Sequence, residues 1–269
     1  MRYKAIFDAV ESTLKKQYAS EDEFNAKYQH FKLFESRTLS DDDYFSILVR
    51  IIFYSGFKAG TVAQRMDAIE SSFPNINTVA HYEDKDISKL MLDTKMIRHK
   101  KKIVACIENA RTMKRLIGKY GSVQNYITSY RPLESDENLF SLYNNLQRRL
   151  NRTEGFSFLS NITAYHFLTD IGMQVMKPDR VIMRIFYRLG LISDRNQIFE
   201  AAVTKGRKFS QETGYPIRYI DVIFVKYGQA GKDSYFDLSD GICLEKHPKC
   251  HICSVTEYCR FAEMKSLSP

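Results

Sequence analysis

The sequence predicts an all-α protein. Glycine and proline are scarce, 12 and 6 of 269 residues, so few positions interrupt regular structure. The alternation expected of a half-buried strand is hard to find, whereas apolar residues recur at helical spacing in segment after segment. Several of these segments open on a capping residue or close on glycine or proline.

From residue 3 to 17, Ile6, Phe7, Val10 and Leu14 share one helical face. A polar, charged stretch follows, then Ser40-Asp41-Asp42-Asp43, an N-cap with carboxylates in the first turn, where the helix dipole favours them. The helix it opens, Tyr44 to Tyr54, is apolar nearly all round and reads as the buried central helix of a lobe, broken by Ser55-Gly56. A helix from Lys58 to Phe73 ends at Pro74-Asn75, and an amphipathic stretch covers 86–93. The segment from Asp93 to Arg111 starts with a basic cluster and continues as a helix with Cys106 on its apolar side. Arg98, Lys100, Lys101 and Lys102 in that cluster read either as a solvated face or as a contact for a polyanion. Helices over 121–130 and 136–150 lead to Gly155-Phe-Ser-Phe-Leu-Ser160. The next, Asn161 to Ile171, closes on Gly172, a natural residue after a helix end. Lys177-Pro178-Asp179 then starts a helix from Arg180 to Leu189, ended by Gly190, and helices over 194–213 and 216–228 carry the chain to its last motif.

No apolar run approaches the roughly eighteen residues a membrane span needs, which excludes helical membrane-embedded functions. The net charge of +8 suits a polyanionic partner. Tryptophan is absent while tyrosine and phenylalanine number 17 and 18, so stacking on a nucleobase must come from Tyr, Phe or His.

Four of the five cysteines, Cys243, Cys250, Cys253 and Cys259, fall within seventeen residues in the spacing C-x6-C-x2-C-x5-C. Four thiolates folded around one point can ligate a tetrahedral zinc ion or a cubane iron–sulfur cluster. Structural zinc sites more often pair two C-x2-C knuckles, and only Cys250 and Cys253 form one here, so the unequal gaps favour the larger cluster. Two disulfides fit poorly with a fifth cysteine and no signal peptide, and the expectation is a reduced, cytoplasmic protein associated with the nucleoid.

With Lys246, Pro248 and Lys249 between the first two ligands, this pattern resembles the iron–sulfur loop of the endonuclease III family of DNA glycosylases. The middle of the chain resembles the type I 3-methyladenine-DNA glycosylases in Thr61-Val62, in Met96-Ile97-Arg98-His99-Lys100 with Lys102-Ile103, Ala105 and Asn109-Ala110-Arg111, and in Gly155-Phe156-Ser157-Phe158. Both belong to the helix-hairpin-helix glycosylase superfamily, and the matches span about 45 to 260. The resemblance implies two helical lobes, one of residues 37–172 with the hairpin and one of 1–36 plus 173–269 with the loop 243–259 and a [4Fe–4S] cluster. It implies a monomeric enzyme that excises a damaged base from double-stranded DNA.

The superfamily's catalytic aspartate falls on Asp179, seven residues after Gly172. Breaking an N-glycosidic bond develops positive charge on the sugar, and a fixed anion stabilises it and orients the attacking water. By the same resemblance Ser160, Asn161, Lys177, Arg98, Lys100, Lys246 and Lys249 are candidates for DNA contact, and Phe53, Tyr54, Tyr165 and His166 for a pocket around the flipped base.

Three departures shape the expected activity. The superfamily hairpin usually reads Leu-Pro-Gly-Val-Gly, whereas Phe156 to Ser160 lacks glycine. The lyase-competent members carry a lysine just before a Thr-Ala pair; here Ile162 precedes Thr163-Ala164, and isoleucine forms no Schiff base. The glutamate that type I enzymes place in the central helix falls on Ile51, or on Phe53 or Tyr54 if the register slips. The sequence therefore predicts a monofunctional DNA glycosylase, with an alkylated purine as favoured substrate. The alternatives are a glycosylase/lyase of endonuclease III type on oxidised pyrimidines and a non-catalytic DNA-damage binding protein.

Overall fold

The computed structural model describes residues 2–129 and 139–266. Among them fifteen α-helices form and no strand does; the single β-bridge joins Asp233 and Leu238. The chain divides into two compact units, residues Thr38–Ile171 and residues Met1–Arg37 with Gly172–Pro269.

The discontinuous unit begins with α1 (Arg2–Lys15) and α2 (Glu21–Tyr28), followed by a 3-10 turn over Gln29–Ser36. The polar stretch after α1 is thus a helix. The Ser20 hydroxyl accepts the Glu23 amide at 3.1 Å, the Glu23 carboxylate accepts the Ala19 amide at 2.8 Å, and the acidic first turn suits the helix start. Phe24 and Tyr28 lie one turn apart, stack at 4.4 Å and are fully buried. Two large apolar residues in eight leave a weak pattern, and tertiary packing supplies what the pattern lacks.

The continuous unit holds α3 (Asp41–Tyr54), α4 (Ala59–Ala63), α5 (Met66–Ser72), α6 (Ile76–Ala80), α7 (Asp84–Leu92), α8 (Lys100–Tyr120), α9 (Val123–Ser129), α10 (Leu139–Arg148) and α11 (Asn161–Asp170). The start of the expected 136–150 helix lies outside the described residues. Ser40 and Asp43 close a capping box on α3. The other two carboxylates reach further: Asp41 accepts the Val123 amide at 2.7 Å and Asp42 the Ile76 amide at 2.9 Å, so one acidic run caps three helices. Between α3 and α8 the expected single helix is two short ones, α4 and α5, followed by α6, because Asn75 starts a new helix by accepting the Thr78 amide. The long α8 packs against α3, α6, α7 and α9, and α11 packs against α3.

The second unit resumes at Gly172, whose φ of 86° belongs to the left-handed region and where a Cβ would crowd the Glu35 backbone at 3.3 Å. It continues with α12 (Arg180–Arg188), α13 (Ile198–Thr213), α14 (Ile217–Gly228) and α15 (Arg260–Ser266). Phe7 of α1, Phe186 of α12, Phe209 of α13 and Phe224 of α14 meet edge-on or tilted at 5.0–6.0 Å in its core. Each such ring contributes roughly 1.5–3 kcal/mol by burial. No described helix is long and apolar enough to cross a membrane.

Candidate active site and cysteine loop

Asp179 sits where an extended backbone, φ −87° and ψ 176°, turns into α12. Its Oδ1 accepts the amides of Val181 at 2.8 Å and Ile182 at 3.0 Å, and its Oδ2 lies 3.0 Å from Lys177 Nζ. Lys177 is held in turn: its amide donates to Oδ1 of the fully buried Asp221 at 3.0 Å, whose Oδ2 accepts Arg218 Nη1 at 2.8 Å. Burial pushes the Asp221 carboxyl up from its ordinary range against the pull of Arg218 and Lys177. Burial would lower Lys177, but the carboxylates of Asp179 and Asp221 outweigh it and hold the ammonium above its ordinary pKa. The result is a carboxylate fixed by two amides and one cation, with its neighbouring charges themselves locked. The ammonium that the sequence directs to phosphate is here engaged with Asp179.

Ile51, Phe53 and Tyr54 end α3 in the other unit. Ile51 and Phe53 are buried, and the Phe53 ring packs on Phe73 at 5.9 Å; Tyr54 is 36% exposed. On α11, Tyr165 is buried, and His166 is partly exposed with Nε2 3.2 Å from Asp170. Tyr54 and His166 are therefore the two of the four that keep surface, whereas Phe53 and Tyr165 lie in the core.

The end of α3 is fastened by a residue that the sequence reading left on a solvated face or a polyanion contact. Lys102 is only 3% exposed; its ammonium donates to the carbonyls of Ile52 and Ser55 and stands 5.3 and 4.9 Å from the ring centres of Phe57 and Phe158. Burial lowers its pKa. Helical spacing could have found it, because Lys102, Cys106, Asn109 and Met113 form one stripe of α8 and all are buried. Asn109, on the same stripe, accepts the Ser157 amide at 2.8 Å and donates to the Ser157 carbonyl at 3.0 Å. This strap holds the turn between α10 and α11, in which Phe158 adopts a φ of 63°. Ser160 and Asn161, at the start of α11, and the adjacent Ile162 are exposed, as are Arg98 and Lys100.

The four loop cysteines are free thiols lining a common, apolar cavity with Ile185, Leu189, Tyr227 and Val255. Cation and hydroxyl come to the sulfurs: Arg188 Nη1 lies 3.2 Å from Cys243 Sγ, and Tyr227 Oη 2.8 Å from Cys253 Sγ. Arg188 also donates to the carbonyls of Leu244 at 2.7 Å and Glu245 at 3.2 Å, and Arg184 to that of Cys243 at 3.1 Å. Burial raises the thiols of Cys243 and Cys253. Among the described residues no group of three or more His, Cys, Asp or Glu is arranged to hold a metal ion. Lys246 is exposed, and Lys249 Nζ donates to the Asp240 carbonyl at 3.1 Å.

The chain belongs to the methyladenine glycosylase family, which matches residues 19–181, more than half of it, and this makes it a DNA glycosylase of base repair. Similar solved structures include 3-methyladenine DNA glycosylase I in complex with 3-methyladenine, at 24% identity over 57% of this chain and 88% of that one, with a TM-score of 0.46. The Staphylococcus aureus 3-methyladenine DNA glycosylase I is 23% identical over 57% and 87%, at 0.45. Methanocaldococcus jannaschii 8-oxoguanine glycosylase/lyase, in complex with DNA containing 8-oxoguanine, is 18% identical over 81% and 94%, at 0.47. A search of curated proteins gives no match.

Proposed function

We propose that the protein is a monofunctional DNA glycosylase that acts as a monomer on a damaged base, an alkylated purine in first place, flipped from double-stranded DNA. The observation that carries this is Asp179: a carboxylate pinned by the amides of Val181 and Ile182 and flanked by Lys177. As the bond between base and sugar breaks, its electron pair leaves with the base and the deoxyribose becomes oxocarbenium-like. A pinned anion stabilises that cation without reorganising, and Oδ2 accepts a proton from the water that adds to the anomeric carbon. An alkylated purine departs readily because it carries the positive charge that departure neutralises. Tyr54 and His166, with Phe53 and Tyr165 in the core, supply surfaces on which such a base stacks. Ile162 leaves the hairpin without an amine, which supports hydrolysis over lyase chemistry. Ser160 and Asn161 at the start of α11, with Arg98, Lys100 and Lys246, are the proposed phosphate contacts.

Cys243, Cys250, Cys253 and Cys259 are proposed to hold a [4Fe–4S] cluster. Their all-sulfur donor set, the apolar cavity, and the donors from Arg188 and Tyr227 fit that group. A cluster held there would supply rigidity to the loop that bears Lys246.

The test is a panel of duplexes carrying alkylated purines, uracil or thymine opposite guanine, 8-oxoguanine and an oxidised pyrimidine, each assayed with and without hot alkali. Strand breaks that need alkali, on the alkylated purine, are expected. Breaks without alkali would mean a lyase, with Lys177 the nearest amine to Asp179; no excision on any substrate would leave a damage-binding protein.

A further inference from the structure

One face of α12 borders a cavity of about 580 Å³ that belongs wholly to the discontinuous unit. Five arginines line it, Arg180, Arg184, Arg188, Arg195 and Arg260, against one carboxylate, Glu245. Arg184 and Arg188 are committed to the cysteine loop through its carbonyls. Arg180, Arg195 and Arg260 have no carboxylate within 4.0 Å among the described residues. Arg260 is nevertheless placed: a Cβ at Gly190 would collide with its guanidinium, so the glycine lets it lie flat against the backbone. Tyr187, 42% exposed, opens a ring into the same cavity with the Arg195 guanidinium 5.7 Å from its centre.

Three uncompensated guanidiniums converging on a concavity repel one another, and the natural relief is an anion with several oxygens. An aromatic ring among them adds a surface for a planar base, which a base-paired strand cannot offer because its bases are already stacked. We infer that this cavity binds an unpaired stretch of a nucleic-acid strand, phosphates on Arg180, Arg195 and Arg260 and one base on Tyr187. The inference rests on the proposed DNA substrate but not on the chemistry at Asp179. Arg180 directly follows Asp179 in the chain, so a strand held here is held beside the proposed catalytic carboxylate.

The experiment is fluorescence anisotropy with the full-length protein, a single-stranded oligonucleotide and its duplex, across a range of KCl concentrations. Each cation removed lowers the salt slope for single strands by about 0.7, so the triple variant R180A/R195A/R260A should lose about two units of slope. Tyr187→Ala should weaken single-strand binding roughly tenfold and leave duplex binding unchanged. Circular dichroism melting confirms that the variants are folded, which exposed side chains permit. An unchanged slope in the folded triple variant overturns the inference. So does equal weakening of duplex and single strand by Tyr187→Ala, or inorganic pyrophosphate binding that the triple variant abolishes while oligonucleotide binding stays intact. Asp179→Asn should bind the single strand as the parent does, so a failed excision reaction and a failed strand site give different results.

Discussion

Asp179→Asn separates what this residue does for α12 from what it does for a reacting sugar. The amide side chain keeps an oxygen that accepts from Val181 and Ile182, so the cap survives; what is lost is the negative charge and the 3.0 Å pairing with Lys177. Lys177 keeps its amide bond to Asp221 and the attraction of that carboxylate. The stability change should therefore stay within about 1 kcal/mol, a melting shift of a few degrees for a chain of this size. Asp179→Ala, which also removes the cap, should lose about 1 kcal/mol more. Activity should part company with stability. Loss of a fixed anion beside a developing cation costs on the order of 10²–10⁴ in rate, whether it acts by charge or as a base. The assay is single-turnover excision with alkali cleavage, beside binding of the same damaged duplex and thermal melting. If Asp179→Asn is folded, binds, and excises within a few-fold of the parent, the assignment of Asp179 is wrong and the residue is only a helix cap.

Three further outcomes follow from the same structure. Cys250→Ser should lower both the iron and the acid-labile sulfide of the isolated protein and bleach its visible absorbance, whereas a parent that carries zinc and no iron refutes the cluster. Lys102→Met deprives the carbonyls of Ile52 and Ser55 of a charged donor; set against the cost of burying the ammonium, the net loss should be about 2 kcal/mol, read as a lower melting temperature, and unchanged melting would mean that the lysine does not brace α3. Glu35, whose Oε1 accepts the Ile217 amide at 2.6 Å, has its pKa raised by burial, so its contribution to stability is full below its unfolded value and is lost as pH rises through the folded one. The urea midpoint of the parent minus that of Glu35→Gln should thus fall as pH rises from below the ordinary carboxyl range to above it, and a flat difference refutes the assignment.

The fold class was legible because helix signals are local. Ser40 to Asp43 announces α3, Pro178-Asp179 announces α12, and Gly172 and Gly190 take the left-handed φ that ends a segment. What stayed hidden is what depends on partners far along the chain. In the sequence α2 reads as a charged stretch because only Phe24 and Tyr28 mark its buried side, and Phe236, which packs on Tyr28, lies more than two hundred residues on. Lys102 reads as one of four cations, yet its oxygen partners are about fifty residues away on α3 and in the turn after it. Asp221 carries only the local mark of Arg218, three residues earlier on α14; its other partner, Lys177, lies 44 residues away in the chain. The candidate site splits the same way: Asp179 is visible as a cap, but the cation that flanks it is read from sequence as a phosphate ligand.

The end of α3 bears on how such an enzyme chooses its base. The position that a recognition glutamate would take is the buried Ile51, or Phe53 or Tyr54 if the register slips, and the ammonium of Lys102 is bonded to the carbonyls of Ile52 and Ser55. A surface built this way offers a cationic base no counter-charge; it offers aromatic faces and apolar contact. Under the proposed function, discrimination by attraction is weak there and lability of the leaving base decides. A neutral purine must leave as an anion or be protonated on the way out, whereas an alkylated purine leaves neutral. Under the proposed function, a lesion that leaves unaided is therefore the expected substrate.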